Sequence, residues 1–67
     1  MPIIEVTLLE GRSQQTKQRL IDALTRAAIE AIDAPRESVR VMIWEIPPGN
    51  FAVGGVVKNP PIDPGAP

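Results

Sequence analysis

Ile3-Ile4-Glu5-Val6-Thr7-Leu8-Leu9 and Val39-Arg40-Val41-Met42-Ile43-Trp44-Glu45 are two β-branched, apolar runs. Between them lies a long segment with a different period. Each run has strand length and strand composition. In the first, Ile4, Val6 and Leu8 point one way, and Ile3, Glu5, Thr7 and Leu9 the other. The intervening segment carries Leu20, Ile21, Leu24, Ala27, Ala28, Ala31 and Ile32 at spacings of three and four, an amphipathic helix. Gln14, Lys17, Gln18, Asp22, Arg26 and Glu30 fall on or near its solvated face. Strand, helix, strand in that order predicts a βαβ unit with parallel strands and a right-handed crossover. The fold class expected is therefore α/β (α+β).

The punctuation agrees with the periodicity. Glu10-Gly11-Arg12 breaks the first strand, and Ser13 is a good N-cap for a helix running to about Ile32. Asp33-Ala34-Pro35 ends that helix, because a proline disfavours helical geometry in the residue before it. A turn through Arg36 and Glu37 leads into the second strand, which Pro47-Pro48-Gly49 closes. Farther on, Phe51-Ala52-Val53 and Val56-Val57-Lys58 flank Gly54-Gly55, a two-residue hairpin signal. A hairpin that short is unstable alone and must pack against something. Residues 1–58 read as a single domain, and 59–67, with four prolines, as a Pro-rich tail unable to continue a helix or a central strand.

Composition narrows the function. The chain has no cysteine and no histidine, which removes disulfides, thiolate sites and the usual ligands of zinc or iron. Seven Lys+Arg against eight Asp+Glu leave a net charge of −1, without the basic patch that nucleic acid requires. No apolar run reaches the roughly 20 residues of a membrane span, and no signal-peptide pattern opens the chain. A cytoplasmic location is expected. Apolar residues make up 43% of a 67-residue chain, more than so small a domain buries alone, which favours subunits that complete one another's core.

Pro2 is the residue with most chemical potential. A start methionine before proline is readily removed in bacterial-type processing, leaving a free secondary amine. Proline in this position reports by itself only on processing. Yet with no His, Cys or Tyr, that amine is the one ordinary group able to carry a proton near neutral pH. It can act as a base beside a carbonyl or as a nucleophile forming an iminium. Both require the neutral amine, which an apolar pocket and nearby guanidinium groups favour. If Met1 is kept, the Pro2 nitrogen is an amide without a basic lone pair. The guanidinium candidates are Arg12, past the first strand, and Arg40, inside the second. A charged Arg40 in an apolar strand needs solvent, a carboxylate such as Glu45, Glu5 or a neighbour's acid, or a ligand. Together with a free Pro2, the two arginines suit a dicarboxylate or keto acid, since arginine pairs carboxylates bidentately.

Met1-Pro2, Leu9-Glu10-Gly11-Arg12-Ser13, the amphipathic helix, Asp33-Ala34-Pro35, Ser38-Val39-Arg40-Val41 and Gly49-Asn50-Phe51-Ala52-Val53-Gly54-Gly55 form one ordered pattern. It resembles the small-subunit 4-oxalocrotonate (2-hydroxymuconate) tautomerases of the tautomerase superfamily, from Pro2 to about Val56. The resemblance implies a β-α-β subunit with a C-terminal hairpin, assembled as a homohexamer (a trimer of dimers), using no cofactor or metal. It implies that Pro2 is the catalytic base and that Arg40 polarises the carbonyl. By the same resemblance Arg12, from another subunit, binds the far carboxylate, while Leu9 and Phe51 line the pocket. Other superfamily activities (phenylpyruvate tautomerase, dehalogenase, hydratase, decarboxylase) and a non-catalytic subunit of a hetero-oligomer are the alternatives. The chain departs from the family pattern in its Pro-rich tail, in Trp44, and in Thr7 and Asn50, where histidine is common.

Overall fold

In the computed structural model, residues 1–58 are described, so the Pro-rich tail expected over 59–67 lies outside the described residues. Strand β1 spans Ile3–Leu9, helix α1 Gln14–Ile32, β2 Arg40–Ile46, β3 Ala52–Val53 and β4 Val56–Val57. Strands β1 and β2 pair in parallel, with Ile3 opposite Arg40 and Leu9 opposite Ile46. β3 and β4 form a separate antiparallel pair. This is the β-α-β unit with a C-terminal hairpin that the alternating periods predict.

Local chemistry explains the boundaries. Ser13 is extended, and its hydroxyl accepts the Thr16 N–H at 3.1 Å, satisfying one of the free donors of the first turn. At the other end Asp33 takes the left-handed conformation, φ 56°, and its N–H donates to the Ile29 carbonyl. A 3₁₀ turn over Arg36–Ser38 follows, closed by the Val39 N–H on the Arg36 carbonyl. That bond engages Val39 in the turn. β2 therefore starts at Arg40 and runs to Ile46, one residue later than the Val39–Glu45 run suggests. Gly54 and Gly55 both have positive φ, 59° and 82°, the left-handed pair that a tight hairpin turn requires.

The helix stripe differs from the expected one. Leu20, Ile21, Leu24, Ala28 and Ile29 are half-buried against the sheet, whereas Ala27, Ala31 and Ile32 are exposed. Nineteen helical residues span about 28 Å and seven strand residues about 23 Å, so the last turn overhangs the sheet it covers. Lys17, placed by periodicity on the solvated side, is instead tucked in and paired with Glu45.

Helix α1 covers the sheet face carrying Ile4, Val6, Leu8, Val41 and Ile43. The opposite face is open. Ile3, Met42 and Trp44 lie there, Trp44 with 58% of its surface exposed. None of the described residues is fully buried, and Phe51, Val53, Val56 and Val57 are also open. With this much apolar content and no closed interior among the described residues, a large part of the apolar surface is left uncovered.

Candidate active site

The parallel register brings Pro2 and Arg40 to one rim of the sheet. Ile3 faces Arg40, and the Arg40 N–H donates to the Pro2 carbonyl at 3.0 Å. The Pro2 backbone is thus fixed by the first residue of β2, 38 positions along the chain. Pro2 is half-buried, while Met1 ahead of it is 76% exposed.

The Arg40 side chain is held by a carbonyl and not by an acid. Its Nη1 donates to the Glu37 carbonyl at 2.8 Å, within the 3₁₀ turn. Neither Glu5 nor Glu45, the acids that an ion-pair reading of Arg40 would enlist, takes that role. Glu45 is engaged by Lys17, Nζ to Oε1 at 2.9 Å. Arg40 therefore keeps its charge uncompensated by any carboxylate of the described residues, and most of its donors remain available. A guanidinium in that condition is suited to an incoming oxyanion.

Leu9 and Arg12 belong to the other rim. Leu9 faces Ile46 at the C-terminal end of both strands, and the Glu10 N–H continues the ladder onto the Ile46 carbonyl at 2.9 Å. Gly11, at φ 128°, turns the chain there, and Arg12 follows it, half-buried and without a hydrogen-bond or ion-pair partner among the described residues. Phe51 comes after β2 and a short 3₁₀ turn over Pro48–Asn50. Its carbonyl accepts the Lys58 N–H, and 37% of its surface is exposed. Seven strand residues separate the rims by about 20 Å or more. The subunit brings Pro2 together with Arg40, but holds Leu9 and Arg12 a strand length away.

Sequence reading missed the Lys17–Glu45 pair. The usable signal was alternation: Val41, Ile43 and Glu45 share the face that meets the helix, so an acid at 45 calls for a base on the helix.

This architecture is matched by known proteins. The family described as Tautomerase enzyme matches residues 2–59. The chain belongs to the tautomerase family. A probable tautomerase of Ralstonia nicotianae is 51% identical over 67 residues, covering 94% of this chain and 96% of its own. That share is too large to end at the hairpin, so the similarity reaches into the Pro-rich stretch. A 2-hydroxymuconate tautomerase of Comamonas testosteroni is 43% identical, covering 84% and 89%. Among solved structures, a heterohexamer 4-oxalocrotonate tautomerase from Chloroflexus aurantiacus superposes with a TM-score of 0.81 at 44% identity, covering 85% of this chain and 92% of that one. TomN, a 4-oxalocrotonate tautomerase homologue in the tomaymycin biosynthetic pathway, gives 0.81 at 52% identity, covering 84% and 86%. The protein is thus a 4-oxalocrotonate-tautomerase-like enzyme, an isomerase. No helix of this tautomerase, among the described residues, is long and apolar enough to cross a membrane.

Proposed function

We propose that the chain, once Met1 is removed, is a cofactor-independent tautomerase that ketonises a 2-hydroxymuconate-like dienol or a related unsaturated keto acid. Pro2 is the base. Its neutral amine takes the proton of the dienol hydroxyl and returns it to a carbon of the conjugated chain, so only a proton changes place. Arg40 stabilises the oxygen on which charge develops, where a fixed cation away from water acts more strongly than solvent does. Arg12 binds the far carboxylate, and Leu9 and Phe51 keep the pocket apolar, which favours the uncharged amine.

The observation that carries this reading is the division of the site between two rims. Pro2 and Arg40 share one end of the sheet, and Leu9 and Arg12 occupy the other. A substrate of roughly six carbons cannot bridge a strand length, so the second half of the site comes from a neighbouring copy. The open sheet face and hairpin supply the apolar surface for such assembly. We take the assembly to be a homohexamer, a trimer of dimers, located in the cytoplasm. We further take residues 1–58 as the tautomerase domain and 59–67 as an appended tail. The relatives named 2-hydroxymuconate tautomerase, at 42–46% identity, support the substrate class.

Intact mass of the purified protein, measured beside 2-hydroxymuconate ketonisation, tests the reading. A processed chain that turns the substrate over sustains it; a processed chain inert on dienol substrates refutes it. The heterohexameric neighbour favours one second reading, in which this chain is one of two kinds of subunit. Purification from the native host distinguishes the two, since a hetero-oligomer brings a related second chain with it.

A further inference from the structure

The Glu10–Ser13 loop is gripped at both ends by two adjacent residues of β2. At its start the Glu10 N–H donates to the Ile46 carbonyl at 2.9 Å. At its end Ser13 caps α1, and its carbonyl accepts the Lys17 N–H at 3.1 Å. The same Lys17 reaches across 28 positions of chain to place Nζ 2.9 Å from Glu45 Oε1. This is the sole salt bridge among the described residues, and its side chains are only 17% and 30% exposed. Gly11, at φ 128°, leaves the loop no regular secondary structure of its own to hold it. Arg12, half-buried, is the loop's one cationic side chain, beside the exposed Glu10.

We propose that Lys17 and Glu45 are positioning residues for the reaction: their ion pair fixes the loop that carries Arg12 and keeps Glu45 from competing for the Arg12 guanidinium. The proposal rests on the reading of Arg12 as the substrate-carboxylate group. Two physical effects combine. A part-buried pair that ties the helix start behind the loop to β2 limits the positions of that loop, and small displacements of a binding group reduce productive geometry steeply. Meanwhile Glu45 is the one carboxylate of β2 and sits at the strand end from which the loop leaves, so without the lysine it is an anion that could engage Arg12.

The test uses the processed, assembled enzyme and 2-hydroxymuconate. Lys17→Met keeps the stem that packs on the sheet and removes the charge. It should raise KM about three- to tenfold, leave kcat within twofold, and speed amide hydrogen exchange across residues 10–16 about two- to fivefold, the range of a part-exposed ion pair. The Lys17→Glu/Glu45→Lys exchange should restore KM, which loss of packing alone could not do. Arg12→Ala run in parallel separates two failures. If Arg12→Ala raises KM while Lys17→Met changes neither KM nor exchange, the positioning role is refuted and the carboxylate role stands. If exchange rises in Lys17→Met but KM is unmoved in both variants, the carboxylate reading fails, and with it the positioning role. Should the charge exchange leave KM high, the ion pair is not what holds the loop.

Discussion

Trp44→Ala strips the largest side chain from the open face of the sheet, and its cost can be worked from the exposure of that ring. Trp44 lies opposite Thr7 on the face that α1 leaves bare, with 58% of its surface accessible. A large aromatic carries about 150–250 Å² of burial area, so roughly 90–145 Å² awaits a partner. At about 25 cal/mol per Å², covering it contributes about 2–4 kcal/mol per copy. Alanine retains little of this, and a two-fold contact loses the term twice, about 4–7 kcal/mol in all. About three to five powers of ten in the dissociation constant should follow, at about 1.4 kcal/mol per factor of ten. The assay is sedimentation velocity over a dilution series, with circular dichroism at each concentration to follow the fold. Wild type should stay assembled where Trp44→Ala dissociates, and the variant should lose helix as it dissociates, since no described residue is fully buried in the lone subunit. If Trp44→Ala keeps the wild-type size distribution through the whole series, the bare sheet face is not the assembly surface.

Three further outcomes are expected. Pro2→Ala should lower kcat by about 10²–10⁴ while leaving the assembly intact, the range for loss of a positioned base; full activity in that variant would remove Pro2 from the mechanism. Arg40→Ala and Arg12→Ala should separate in steady-state kinetics, the first lowering kcat by about 10²–10³, as loss of an oxyanion donor does, and the second mainly raising KM. Equal effects on KM from both would contradict the division of labour. Ser13→Ala should cost about 1 kcal/mol in chemical denaturation by freeing the Thr16 N–H at the start of α1, and an unchanged midpoint would show that the cap is dispensable.

The element order was legible because it depends on local patterns. Two β-branched runs, a three-and-four helical stripe, Ser13, Pro35 and the Gly54-Gly55 pair each state a backbone preference within a few residues, and the structure follows every one of them. Small displacements arose where neighbouring geometry intervened. β2 begins at Arg40 because the 3₁₀ turn engages Val39, and Ala31 and Ile32 are exposed because the helix outruns the sheet. Candidate site residues could be named from chemistry, since a freed Pro2 amine is a base near neutral pH and Arg12 and Arg40 are fixed cations beside the two long apolar strands.

Their arrangement in space was not legible. Period and composition say that a strand exists, but not which residue of a second strand lies beside it. Register alone sets Arg40 against Ile3, bonds it to Pro2, and leaves Arg12 at the opposite rim. The same is true of partners: Arg40 was as free to pair with Glu45 as with anything else until the strand face carrying Glu45 turned towards Lys17. Hydrogen bonds and ion pairs act over a few ångströms between residues 28 or 38 positions apart, and only the folded chain brings them within that reach.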